Sequence, residues 1–227
     1  MKNFSKLLLR SMILVFALGA VYTLSAQKAG ETVKDADGNE YKTVVIGSQT
    51  WFAENLKTTK YANGNSIKNI TSGSEWVSCK SPAYCWYDND KGNKDEYGAL
   101  YNWYVINSGN ICPNGWHVAT DADWTTLTNK VGGAEKAGAA LKEKGTKHWE
   151  TTSDDVKDEY NFGIVGAGFR DPYGNFTWKT VDACFWSATG KTPSYAWYRH
   201  TFHYDKALSR HEVQKCNGYS VRCVKNN

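Results

Sequence analysis

The sequence predicts an α+β fold. A turn-centred β pattern comes first, a middle third with helical period follows, and a β-rich final third closes the chain. Strands and helices gathered in separate runs point to α+β rather than to alternating βαβ units. No internal repeat, low-complexity tract or interdomain linker interrupts this order.

Residues 32–47 predict a β-hairpin, with Asp37-Gly38 as a turn that needs positive φ and Tyr41 to Ile46 rich in strand formers. Residues 57–95 hold Asn, Ser, Lys and Gly without a sustained period. A stretch of that length is either functional or carries structure that periodicity does not reveal. Tyr97, Leu100, Tyr101, Tyr104 and Val105 fall at helical spacing, which predicts a helix with a buried aromatic stripe, ended by Ser108-Gly109. Residues 110–119 read as extended. Thr120 is a good N-cap, with Asp123 three residues on and Asp121 in the first turn, where the helix dipole favours an anion. Trp124, Leu127 and Val131 continue that helix as far as Gly132-Gly133, and a short third helix fits Glu135 to Lys144, closed by Gly145. From Asn161 onward the pattern is β: 162–165 leading into 168–170, a turn at 172–175, strands at 183–188 and 218–224, and a hairpin of 195–204 with 208–213 around Asp205-Lys206.

The N-terminus has the layout of a secretory signal: Lys2, Lys6 and Arg10 precede the apolar run from Ser11 to Thr23, and Ala26 offers a small residue for cleavage. Residues 1–26 are expected to be a signal peptide and 27–227 a single mature domain. The apolar run is shorter than the ~20 residues of a usual spanning helix, and no later run is long enough to span. The first cysteine is Cys79, which excludes a lipid-modified N-terminal cysteine. The expected destination is therefore outside the cytoplasm: secreted, periplasmic or at the cell surface. Without its signal the chain carries 24 Lys and Arg against 23 Asp and Glu, and such a balance leaves no electrostatic footprint for nucleic acid. Six cysteines (Cys79, Cys85, Cys112, Cys184, Cys216 and Cys223) in an exported chain predict three disulfides, but spacing alone does not choose among 15 pairings.

Several motifs together resemble the Fibrobacter succinogenes major paralogous domain, a family of exported bacterial proteins. They are Asp37 to Tyr41, Ile46 to Leu56, Tyr84 to Tyr87, Tyr97 to Trp103, Cys112 to His117, Asp121 to Trp124, Gly168 to Arg170, Phe185 to Ser187 and Gly218 to Val224. His117 stands where the family more often has Arg. The resemblance implies a C-type-lectin-like or formylglycine-generating-enzyme-like fold: two to three helices packed on a twisted, loop-rich antiparallel sheet and stapled by disulfides. It implies that Cys112 pairs with Cys223, with Cys79–Cys85 and Cys184–Cys216 as the expected remainder. It carries over no defined activity.

The candidate chemistry is sparse. Asp88, Asp90, Asn93, Asp95 and Glu96 offer oxygen ligands that suit calcium, but the EF-hand pattern fails and the simpler reading is a solvated, helix-capping loop. Among the many aromatics, Trp76, Trp86, Tyr87, Tyr173 and Trp178 sit in loops or at strand ends and are the best candidates for stacking on a ligand. Asp154, Asp155, Asp158 and Glu159 would supply paired carboxylates for hydrolysis, against a simpler reading as solvated acids. His200 and His203 point to opposite faces of a strand, and His117, His148 and His211 have no companion at a telling spacing. The calcium-sugar tripeptides of C-type lectins and the motifs of the common hydrolases are missing. A formylglycine-generating activity would need Cys216 and Cys223 as thiols, and the resemblance places Cys223 in a structural bond. The expected function is a non-catalytic binding or adhesion module for a glycan or a surface protein, without a cofactor. The alternatives are an extracellular hydrolase of polysaccharide or protein, and a structural subunit of a surface assembly.

Overall fold

Asp35 builds the first turn of the fold. Its carboxylate accepts the backbone N–H of Asp37 and of Asn39, each at 2.9 Å, and the Tyr41 hydroxyl at 2.6 Å, so a side chain replaces the backbone acceptor of a turn. Strands β1 (Val33–Lys34) and β2 (Glu40–Tyr41) close around it. The chain then continues into β3 (Thr43–Ile46), which folds back on β4 (Gln49–Phe52). The single hairpin expected over 32–47 is therefore two hairpins, because the later strand formers pair forward with 49–52. The computed structural model describes residues 30–226, and the expected signal segment lies outside the described residues.

The aperiodic stretch 57–95 is structured. It contains β5 (Lys68–Asn69), α1 (Gly73–Ser78), β6 (Ala83–Cys85), two single 3₁₀ turns at Tyr87–Asn89 and Lys91–Asn93, and the start of α2 (Lys94–Tyr97). Elements of two to six residues are shorter than the windows in which a period can be seen. Their ends are capped locally, as where the Ser72 hydroxyl accepts the Glu75 N–H.

The helix expected from Tyr97 onward forms only in its second half, which ends before Gly109 as expected. Tyr97 ends α2, Gly98 takes φ 74° and ψ −168°, and Leu100–Tyr101 forms strand β7 before α3 (Trp103–Ser108) begins. The cause is close packing on Gly98: a Cβ there would lie 2.7 Å from Asn55 Cβ and 2.9 Å from the Leu56 carbonyl. That backbone region is essentially open to glycine alone. Gly98→Ala is expected to cost about 2–3 kcal/mol in urea unfolding; an unchanged midpoint would show that the segment relaxes freely.

Beyond β8 (Trp116–Val118), helix α4 (Asp121–Lys130) begins as expected. The Thr120 hydroxyl accepts the Asp123 N–H, and the Asp123 carboxylate accepts the Thr120 N–H, a reciprocal capping box. Helix α5 (Ala134–Leu141) stops three residues short of the expected Lys144, because Lys142 is extended and Glu143 N–H bonds the Ile164 carbonyl. The β-rich end supplies β9 (Ala167–Arg170), β10 (Phe176–Lys179), β11 (Asp182–Gly190), β12 (Tyr195–Phe202), β13 (Ser209–Gln214) and β14 (Cys223–Lys225).

These elements make a sheet-rich α+β fold. The largest sheet runs β10-β9-β11-β12-β13, a second runs β3-β4-β14-β8, and β5-β6-β7 and β1-β2 complete the set. Pairing is antiparallel except for β9 with β11 and β5 with β6. Five α-helices occur among the described residues rather than two to three. The additional ones, α1 and α2, are too short to announce themselves. One core cluster packs Trp51, Trp124, Phe162 and Phe185 beneath α4 and α5; a second packs Phe52, Tyr101, Trp186 and Tyr219 around the Cys112–Cys223 bond. That bond is formed, with the Cα atoms 5.9 Å apart.

The other expected pairings do not form. Cys85 faces the buried cluster of Trp76 and Leu100, while Cys79 turns outward to the Ser81 carbonyl at 3.1 Å. Cys184 sits in the core beside Asp182, whereas Cys216 lies in the turn after β13 and reaches Gln214. In each expected pair one cysteine is buried and the other partly exposed, and all four are free thiols here.

Candidate functional site

A cleft of about 650 Å³ opens between the 61–65 turn and the segment that follows α3. The turn closes through Gly64 N–H to the Tyr61 carbonyl and Tyr61 N–H to the Asn65 carbonyl, both 2.9 Å. Asn63 Oδ1 accepts the Asn65 N–H at 3.0 Å, the local bond that favours asparagine in such turns. The turn is held to the other wall twice. Ala62 N–H donates to the Asn110 carbonyl at 2.9 Å, and the Tyr61 hydroxyl meets the Ser108 hydroxyl at 2.6 Å. Asn110 is itself fixed, donating to the Trp116 carbonyl and accepting the Cys112 N–H, so this wall is anchored to the disulfide.

No charged side chain lines the cleft; its polar lining is Asn63, Asn65, Asn110, Asn114, Ser108 and Tyr61. A carboxamide presents donors and an acceptor together, as a sugar hydroxyl does, and the half-buried Tyr61 ring adds an apolar face. The arrangement suits a neutral, hydroxyl-rich ligand. Sequence reasoning left Tyr61, Asn63 and Asn65 in the aperiodic stretch 57–95, and read Ser108 as a helix end and Asn110 and Asn114 as extended. The signals that mark them are the Asn63-Gly64-Asn65 and Pro113-Asn114-Gly115 turns, and only folding brings the two together.

The aromatic candidates divide. Trp76, Trp86 and Tyr87 are buried, which corrects their expected exposure. Trp76 lies under the Arg170 guanidinium, Trp86 packs edge-on against Tyr84, and Tyr87 packs against Phe176. Their loop-like sequence context hides core positions because α1 buries Trp76, and the chain from β6 into the first 3₁₀ turn buries Trp86 and Tyr87. Tyr173 is 77% exposed and Trp178 49%, but neither lines the asparagine cleft.

The calcium candidates do not converge. Asp90 caps Gly92 N–H, Asn93 is buried and accepts Lys179 Nζ at 2.7 Å, Asp95 faces Lys57, and Glu96 pairs with Lys147 at 3.0 Å. Asp88 is exposed, on positive φ. The 3₁₀ turns fan these groups apart, and among the described residues no three His, Cys, Asp or Glu side chains gather as a metal site.

Of the acids at 154–159, Asp155 and Glu159 line one cleft of about 320 Å³, beside Lys136 and Lys206. Asp155 pairs with Lys206, whereas Asp158 accepts Phe162 and Gly163 N–H groups, its carboxyl raised by burial. A better acid–base group forms where the sequence showed no companion. His148 Nδ1 meets Glu143 Oε2 at 2.6 Å, and its Nε2 lies 3.6 Å from Glu96 Oε2 across a cleft of about 470 Å³. No serine, threonine or cysteine lines that cleft. His117 has a structural partner: its Nε2 meets the capping carboxylate of Asp123 at 3.0 Å. His200 and His203 diverge, toward Asp182 and Thr151.

No helix among the described residues is long and apolar enough to cross a membrane. Comparison with curated proteins finds no match, and comparison with solved structures finds none either. The model of the Fibrobacter succinogenes major domain matches residues 44–225, from β3 to the end of β14, and so takes in both walls of the asparagine cleft. The chain belongs to the Fibrobacter succinogenes major domain family.

Proposed function

We propose that this protein is an exported, non-catalytic binding module that takes a neutral glycan in the asparagine cleft. The observation that carries the reading is a sizeable cleft without charge, lined by four asparagine amides, a serine and a tyrosine. Recognition of an uncharged polyol needs matched donors and acceptors plus an apolar face, not an ion pair. In this reading the loops are displayed on a lectin-like scaffold, and the signal-like N-terminus and the buried disulfide fit an extracytoplasmic site. A surface protein as ligand, or a structural role in a surface assembly, is the outcome if free sugars do not bind.

The test is a glycan array probed with residues 27–227, followed by calorimetry on any hit. Tyr61→Ala is expected to weaken binding about ten-fold, the loss of one stacking face and one hydroxyl. Calcium chelation is expected to change nothing. A blank array, or a hit that Tyr61→Ala leaves untouched, would move recognition away from this cleft. The Glu143–His148 pair is the geometry a hydrolytic reading would use, with imidazole oriented by carboxylate. Turnover of a polymer that His148→Gln abolishes would favour that second reading.

A further inference from the structure

We infer that Cys79 and Cys216 form a second disulfide, joining the end of α1 to the turn between β13 and β14. These two are the partly exposed cysteines, whereas Cys85 and Cys184 are buried at 0% and 1% exposure. The segments that carry them meet at Trp76 and Gly218 and share the start of α3 as a common neighbour. Cys79 N–H bonds the Trp76 carbonyl at 3.1 Å, and the Trp76 ring lies so close to Gly218 that a Cβ there would meet it at 2.9 Å. Cys79 Sγ lies 3.9 Å from Asn102 Nδ2, and the next residue, Trp103, donates its N–H to the Lys215 carbonyl at 2.9 Å. Residues 215–218 therefore run beside the start of α3, against which Cys79 also rests.

Tyr104, the next residue of α3, is half-buried on the same surface. Its hydroxyl is raised first by burial and then by the negative charge that Cys216 and Cys79 would carry, so one phenol senses both sulfurs. The buried pair is placed otherwise. Burial pushes the Cys85 thiol up to about 12 against the pull of Arg170, and burial beside Asp182 pushes the Cys184 thiol well up too. Thiols held neutral and away from solvent exchange slowly.

Bond formation needs an oxidant, and a small disulfide such as oxidised glutathione supplies it. One thiolate attacks the glutathione disulfide and releases one glutathione thiolate. The second cysteine, losing its proton, attacks the mixed disulfide and releases the other. Two protons and two electrons leave the protein, and two glutathione thiols form. The partners must come within about 7 Å, Cα to Cα, for an unstrained bond. The product would brace one wall of the asparagine cleft, because Pro82 lines it three residues after Cys79.

The experiment is disulfide mapping of the full mature chain equilibrated with oxidised glutathione, independent of where the protein resides and of any glycan. In the reduced native protein, brief alkylation is expected to label Cys79 and Cys216 and to spare Cys85 and Cys184. After oxidation, denaturation and alkylation, two thiols are expected to be labelled, and digestion is expected to yield one peptide linking Cys79 to Cys216. In Cys79→Ser, Cys216 is expected to remain labelled or glutathione-capped with an unchanged far-UV spectrum. Two separate glutathione adducts in the wild-type chain, four labelled thiols, or linkage of either cysteine to Cys85 or Cys184 would overturn the assignment.

Discussion

Replacement of Arg222 by methionine is expected to remove about 3–5 kcal/mol of stability, a large part of what holds an ordinary domain folded. Arg222 is fully buried, yet its guanidinium donates to four acceptors: Asn55 Oδ1 at 2.8 Å, the Phe52 carbonyl at 3.0 Å, and the Phe162 and Gly163 carbonyls at 2.8 Å each. Its plane also lies 4.7 Å from the Phe162 ring centroid. Burial pushes its pKa down, Glu54 and Asp158 pull it back, and it stays charged at neutral pH. Methionine fills much of the volume but strips donors from three carbonyls and an amide that have no water to turn to. Arg222→Lys is expected to recover less than half of the loss, since one ammonium does not span acceptors arrayed for a planar fork. Urea unfolding of the three proteins checks this. A loss below about 1 kcal/mol for the methionine variant would mean that water reaches the acceptors.

Removal of the Cys112–Cys223 bond, as the double variant Cys112→Ala with Cys223→Ala, is expected to cost about 4–5 kcal/mol in the chain-entropy model. The bond closes a loop with a sequence separation of 111, so its absence releases a large part of the unfolded chain. The unfolded state should then expose more surface, and the urea dependence should steepen while the midpoint falls. Alanine is preferred to serine because both sulfurs lie in the core, where an added hydroxyl would want a partner. Coincident midpoints for variant and wild type would refute the entropic role. The variant should also lose cleft affinity before it unfolds, because Asn110 is held by the Cys112 N–H.

The relation between sequence and fold follows from the range over which each signal acts. The α4 cap was legible because Thr120 and Asp123 satisfy each other within one turn, whatever surrounds them. The turns at 172–175 and Asp205-Lys206 were legible because their residues are local turn formers, and the Asp171 and Asp205 carboxylates bond the next few N–H groups there. The Cys112–Cys223 pairing came through family resemblance, since six cysteines alone left every pairing open. The spacing of Tyr97, Leu100, Tyr101 and Tyr104 misled because aromatic residues suit a helix face and a buried strand alike. Only Asn55 and Leu56, far away in sequence, force the break at Gly98.

The candidate site was less legible than the fold. Trp76, Trp86 and Tyr87 lie among polar residues in sequence, yet their large apolar area is satisfied only inside the core. Tyr61 and Asn110 carry no pattern of their own, and they meet because Ala62 bonds the Asn110 carbonyl. His148 gained Glu143 from its own turn and Glu96 from the end of a helix more than fifty residues earlier. By itself the sequence determined the fold class, the family, the α4 cap and the hairpin of β12 with β13, all set by local bonding or by motifs read in line, but it missed β10 and expected a strand at 162–165 that does not form. The tertiary structure alone decided which aromatics are core, which thiols meet solvent and where the cleft opens, because those depend on residues distant along the chain competing for the same buried space.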